Sequence, residues 1–263
     1  MENFKMTVSY INKLFICTAL ILLGGTSKVH AALANNAVLD FNAGVESCVY
    51  GGIYPDCSVP EVGLKSAEVT GGSWFALDSN ADGVLEIGER AALTANEGLI
   101  LGAVQDAGGT HSGAPDGSET YGIDQPWEWF GSTGVNRTTS PVTVVSGANG
   151  NYQLDFSGWG IQWSGIDFAL GGDRTVTNEV GSSSLGSGLA TLTCTTLDCV
   201  VGSDFILDYD VEFYDPSGFG IYYSYALHLE GTIAAVPLPT SMWLFVSGLF
   251  TLISIKLKSN SCK

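Results

Sequence analysis

The sequence predicts a mainly β protein: an antiparallel β-sandwich core behind a loop-rich N-terminal half, followed by a single C-terminal transmembrane helix. Three observations predict it. From Pro141 to Ile233, strand-like runs recur between Gly, Ser and Asn turns. Within that stretch Phe205, Leu207, Tyr209, Val211 and Phe213 alternate with Asp208, Asp210 and Glu212. That period of two gives a strand one buried and one wet face. No helical pattern recurs between the runs, which speaks against a parallel α/β sheet. The C-terminus, by contrast, carries one apolar run ending in lysines.

The first element is not part of the fold. Residues 1–31 read as a signal peptide: Lys5 and Lys13 form a basic start, and Leu14–Leu23 an apolar stretch. Val29-His30-Ala31 and Ala32-Leu33-Ala34 both offer small-residue cleavage sites. Attachment of lipid at Cys17 is disfavoured by the bulky Phe15 and Ile16 before it. Residues 32–235 then form one extracellular domain, long enough for a substantial core.

That domain is acidic. The chain has 27 Asp and Glu against 10 Lys and Arg. Every acid but Glu2 lies between the two ends, where the only cations are Lys65, Arg90, Arg137 and Arg174. Such a surface excludes nucleic acid as a partner, because phosphate binding needs Lys and Arg, and it attracts divalent cations. Four cysteines remain in the domain as two local pairs, Cys48 with Cys57 and Cys194 with Cys199. In an exported chain these read as disulfides. A zinc site would need four convergent thiolates or added histidines, and only His111 and His228 are present there.

One segment of the loop-rich half carries specific chemistry. Residues 78–89 read DSNADGVLEIGE and fit the twelve-residue EF-hand pattern at every fixed position. Asp78, Asn80 and Asp82 would supply side-chain oxygens, Val84 its carbonyl, Glu86 a direct or water-mediated contact, and Glu89 a bidentate carboxylate. Gly83 permits the sharp turn and Leu85 packs inward. Calcium is the ion such an oxygen-only set fits. The flanks are less regular: Ile87–Glu97 could form an exiting helix, whereas Gly71 and Gly72 leave at most one turn before the loop. The plain alternative is an acidic surface turn.

Further strands are expected at 142–146, 152–159, 161–169, 189–194, 204–214 and 221–231. Trp127 and Trp129, beside acids, are candidate glycan-stacking residues, although such side chains more often fill a core. Asp208, Asp210 and Glu212 could act as paired acids on a glycoside, yet alternate acids on a wet strand face are usually just its solvated side. His111 has Ser112 and Asp116 near it, but closeness in a loop does not make a triad. No nucleophile elbow, phosphate loop or dinucleotide fingerprint occurs.

The last element runs VPLPTSMWLFVSGLFTLISIKLKSNSCK from Val236. A helix over 240–255 would be about 24 Å long against a hydrocarbon core of about 30 Å, so the expected span is extended to residues 240–257. Lys256, Lys258 and Lys263 would stay on the cytoplasmic side, so the acidic domain would face outward. Val236, Pro237, Leu238, Pro239, Trp243, Leu244, Phe245, Ser247, Gly248 and Leu249 resemble the PEP-CTERM sorting signal in its Val-Pro-Leu-Pro variant. The basic end differs in having sparse lysines where that family has an arginine-rich cluster. Residues 101–134 and 208–232 are also similar to the cores of proteins of that class. Residues 1–31 imply signal peptidase as a partner, and the resemblance implies an exosortase-type sorting enzyme and association with exopolysaccharide. It implies export to the periplasmic face of the membrane, then to the surface or extracellular matrix of a Gram-negative bacterium. The function expected is a non-enzymatic calcium-binding surface or matrix protein. A carbohydrate-binding module is the alternative and a secreted glycosidase the third reading.

Overall fold

The alternating run after Ser203 forms the longest pairing in the computed structural model, which describes residues 33–49, 66–129, 131–172, 183–215 and 221–236. The strands in chain order are β1 (Ala37–Phe41), β2 (Val45–Val49), β3 (Ser66–Gly71), β4 (Trp74–Leu77), β5 (Arg90–Ala92) and β6 (Leu99–Ile100). They continue with β7 (Trp127–Trp129), β8 (Ser132–Thr138), β9 (Thr143–Ala148), β10 (Asn151–Asp155) and β11 (Trp159–Trp163). The last are β12 (Ile166–Ala169), β13 (Ser183–Leu185), β14 (Leu189–Cys194), β15 (Asp204–Asp215) and β16 (Ile221–Ala235).

A large antiparallel sheet has the order β5-β4-β16-β15-β14-β10-β9, with β1 and β6 beside the end of β16 and β13 beside the end of β15. Its centre is the β15–β16 pair, in unbroken register from Asp204↔Thr232 to Asp215↔Ile221. On its other edge β16 pairs with β4 through Tyr225–His228, then with β1 through Gly231–Ala235. Gly231 sits where the pairing with β1 begins, and a Cβ there would lie 2.1 Å from Asp40 O, so only glycine fits. A smaller sheet, β12-β11-β8-β7, supplies the second layer, and β2 pairs with β3 apart from both.

The apolar residues of each alternating strand close the layers on one another, as in a β-sandwich. Phe75, Leu154, Leu192, Leu207, Tyr209, Tyr225 and Leu227 of the large sheet share one buried cluster with Trp127, Trp159, Ile161 and Phe168 of the small one. Aromatic rings cross the boundary: Phe75 meets Trp127 at 4.6 Å, and Phe168 meets Phe213 edge-on at 6.0 Å.

Two expectations are corrected. Among the described residues there is no α-helix, and no helix long and apolar enough to cross a membrane. The described fold therefore contains no C-terminal transmembrane helix; residues 240–257 lie outside the described residues. The exiting helix over Ile87–Glu97 does not form either. Ile87–Glu89 makes one 3-10 turn, and Arg90–Ala92 then pairs with β4 from Ala76↔Arg90 to Trp74↔Ala92. An open strand edge offers these backbone groups ready partners, which overrides the helix propensity of the Ala pair. The N-terminal half is also richer in strand than its sequence suggests, contributing β1 to β8. The segment before the acidic loop passes from β3, paired with β2, to β4 in the large sheet, with Gly72 at φ +68° between them.

Cys194 and Cys199 form a disulfide across the turn that follows β14, with Cα atoms 5.4 Å apart. Cys48 lies in β2, but Cys57 is outside the described residues. Replacing Cys194 and Cys199 together by serine should lower unfolding stability by about 2 kcal/mol, since so short a loop removes little entropy from the unfolded chain. Denaturant titration of the oxidised protein and the double variant checks this; equal midpoints would show that the bridge is energetically silent.

Candidate functional site

The acidic loop leaves β4 after Leu77 and returns to the same sheet at Arg90, so neighbouring strands fix both of its ends. Asp78 N donates to Ser224 O of β16 at 2.9 Å, which pins the entry. Asp78 itself is buried, at 1 % exposure. Its Oδ1 accepts from Asp82 N at 3.1 Å and its Oδ2 from Gly83 N at 2.8 Å. Asn80 Oδ1 accepts from Asp82 N at 2.9 Å, and Asp82 Oδ1 from Val84 N at 2.9 Å. These side-chain-to-backbone bonds wind residues 78–84 into successive turns. Gly83 takes φ +82°, the conformation the sixth position of the motif reserves for glycine.

Glu89 closes the loop on its beginning. Its Oε1 accepts from Ser79 N at 2.7 Å and Ser79 Oγ at 2.8 Å, and its Oε2 from Glu86 N at 3.1 Å. Partial burial alone would raise the Glu89 carboxyl. The bonds from Glu86, Ser79 and Asn80 outweigh it and hold the group below its usual value. Among the described residues no three of His, Cys, Asp and Glu converge as a metal-holding group. The same bonds give the reason: Asp78 and Glu89 direct their oxygens to backbone N–H groups. The donor set fits a hard cation in type, since the side chains of Asp78, Asn80, Asp82, Glu86 and Glu89 and the carbonyl of Val84 are all oxygen donors.

The other predicted residues are placed less simply. Asp208, Asp210 and Glu212 lie on the exposed face of β15. Asp210 and Glu212 line a groove of about 430 Å³ whose other wall includes Gly83 and Leu85 of the loop. Asp208 Oδ1 lies 2.6 Å from His228 Nδ1, and Glu230 Oε1 lies 3.0 Å from His228 Nε2. The imidazole stacks on Trp74 at 5.2 Å, and the Arg90 guanidinium lies 4.0 Å from the centre of the Trp74 ring. A carboxylate thus lies against each nitrogen of His228. His111 is buried with Nε2 2.7 Å from Gly108 O, while Asp116 accepts from Ser118 N at 2.9 Å and Ser118 Oγ at 2.6 Å.

Trp127, at 8 % exposure, packs in the core against Phe75. Trp129 is half-buried against Trp163 at 5.4 Å. Val236 ends the described chain; Pro237, Leu238, Pro239, Trp243, Lys256 and Lys258 lie outside it, as do residues 1–31. The row Arg90–Trp74–His228–Asp208 and the buried acid Asp124 escape sequence reasoning. Strand register alone brings the row together, and Asp124 belongs to no motif.

Fold and loop together define an antiparallel β protein with an acidic loop joining β4 to the edge strand β5. Comparison with protein-family models, curated proteins and solved structures finds no match to this chain.

Proposed function

We propose that the chain is a non-enzymatic, calcium-binding exported protein of the cell surface or extracellular matrix, handled by signal peptidase and an exosortase-type enzyme. One observation carries the calcium reading: the loop from Asp78 to Glu89 has the complete ligand pattern and winds through Gly83 as that pattern requires. Asp78, Asn80, Asp82, Val84, Glu86 and Glu89 would hold the ion. When bound, calcium supplies positive charge among four carboxylates that otherwise repel one another. The chain's own residues do the rest. Gly83 makes the turn, the bond to Ser224 O fixes the entry, and β4 and β5 tie both ends to the sheet. Export is supported by the two ends of the sequence and by the Cys194–Cys199 disulfide, a bond that persists in oxidising compartments. Trp127 offers no exposed ring to a sugar, so the carbohydrate-binding alternative finds no support at that residue.

Calorimetric titration, with melting curves in calcium and in chelator, tests the reading. One ion should bind with Kd of about 10⁻⁴–10⁻³ M, the range of extracellular sites. At tenfold excess over Kd, calcium should add about 1.4 kcal/mol of stability. Glu89→Gln should abolish most of the calcium-dependent rise in Tm, while Asp208→Asn should leave the affinity unchanged. The rise is the readout, because Glu89→Gln also loosens the loop itself. No binding at millimolar calcium, with a Tm indifferent to chelator, would reduce the loop to an acidic turn.

A further inference from the structure

Residues 195–203, which join β14 to β15, present three aliphatic side chains to solvent in a chain that is otherwise acidic. Leu197 is 68 % exposed, Val201 62 % and Val200 40 %. We propose that this tip is a contact with the surface of a zwitterionic lipid bilayer.

The tip is built to hold those side chains outward. The Cys194–Cys199 disulfide closes it, and Cys199 turns inward at φ +49° with almost no exposure. Thr195 N donates to Asp204 O at 2.9 Å, Cys199 N to Thr196 O at 3.3 Å, and Ser203 N to Val200 O at 2.9 Å. Thr196 Oγ1 and Ser203 Oγ are bonded to one another. The amides of Thr195, Cys199 and Ser203 are thus paired as the tip stands. Those groups are not stranded if the aliphatic side chains meet the apolar edge of a bilayer while the loop backbone stays at its wet interface.

Its position names the occupant. Gly202 N donates to Ile233 O at 2.7 Å and Ile233 N to Ser203 O at 2.8 Å, so the tip is clamped to the end of β16. That strand ends at Ala235. In the sequence, the apolar run from Met242 begins about seven residues later, a reach of at most about 25 Å even if extended. The inference rests on the sorting reading, in which that run engages a membrane. A protein partner is less suited: the tip offers no Trp, Tyr or Arg anchor of the kind that dominates protein interfaces. A second copy would bring its own Asp198 and Asp204 against the same residues. The same two acids predict preference for zwitterionic over anionic lipid.

The test uses the full chain with phosphatidylcholine vesicles. Single variants Val201→Cys and Glu128→Cys, the latter on β7 of the other sheet, are tagged with a water-soluble maleimide and the modified peptide is quantified. Vesicles should slow tagging at 201 by at least about tenfold, as for a side chain held out of water, and leave 128 unchanged. Flotation with the vesicles while 201 and 128 react equally fast would overturn the tip contact and leave the sorting reading standing. Failure to float at all would remove that reading, and the tip contact with it. Slowing at 201 without vesicles, growing with protein concentration, would show the tip meeting a second copy and would also overturn the proposal.

Discussion

Trp159→Ala should destabilise the protein by about 3–5 kcal/mol, the range for deleting a fully buried large aromatic side chain. Trp159 is 1 % exposed on β11, packed against Phe156 at 5.2 Å. Its Nε1 donates to the Tyr225 hydroxyl at 3.2 Å, a bond between the two sheets. The alanine variant loses dispersion contacts, leaves a cavity and removes a donor from a fully buried hydroxyl, and these effects act in the same direction. Trp159→Phe keeps most of the volume and loses the bond, so it should cost only about 1–2 kcal/mol. Denaturant unfolding of the three proteins, with the slopes compared as well as the midpoints, checks the ranking. An alanine variant within about 1 kcal/mol of wild type would mean that the two sheets do not share a core at this point.

The parts of the fold legible in the sequence are those fixed by near neighbours. The strand expected over 189–194 is β14 with the same bounds, and the alternation around Asp208 is β15. β16 runs past its expected end at Gly231 as far as Ala235, because β1 lies alongside Gly231–Ala235. Nothing near Gly231 in the sequence announces a partner from the other end of the chain. The strands of the N-terminal half are unreadable for the same reason: Ala37 pairs with Ala235, and Trp74 with His228. The acidic loop is legible because its spacing is a local rule. Where Glu89 directs its carboxylate is not, since Ser79 N and Glu86 N compete for it only once the loop is wound. Trp127, between Pro126 and Glu128, reads more readily as core than as a sugar-stacking ring, but its partner is not legible: β8 places Gly134 beneath the ring, where a Cβ would lie 2.2 Å from the indole.

Stability should also fall as pH rises from about 4 to about 7, and Asp124→Asn should remove most of that fall. Asp124 is wholly buried, and burial pushes its carboxyl up to about 7. Two bonds from Asn136 oppose the shift, from the backbone N to Oδ1 at 3.0 Å and from Nδ2 to Oδ2 at 2.9 Å. Asn136 Oδ1 accepts in turn from the Tyr225 hydroxyl at 3.4 Å, so the acid ends a chain of polar groups running to Trp159. Burial drives the Tyr225 phenol far above its usual value, with the Trp159 bond opposing, and Tyr225 stays neutral through this window. The sign follows from the raised value. Below the ordinary carboxyl range Asp124 is protonated in both states, and its contribution to stability is fully present. As pH rises, the unfolded chain releases the proton while the folded protein keeps it, and stability is lost until the folded group also ionises near 7. For a shift of this size the loss is on the order of 4 kcal/mol. Glu89, held low by its hydrogen bonds, acts with the opposite sign, losing its contribution only as pH falls below the ordinary glutamate range. Chemical denaturation at steps from about pH 4.5 to about 7.5, a window of roughly three units chosen from that shift, separates the two. Asparagine cannot ionise, so the variant's stability should be nearly flat where wild type declines. Parallel declines in both proteins would assign the pH dependence to other groups and leave Asp124 ionised in the folded state throughout.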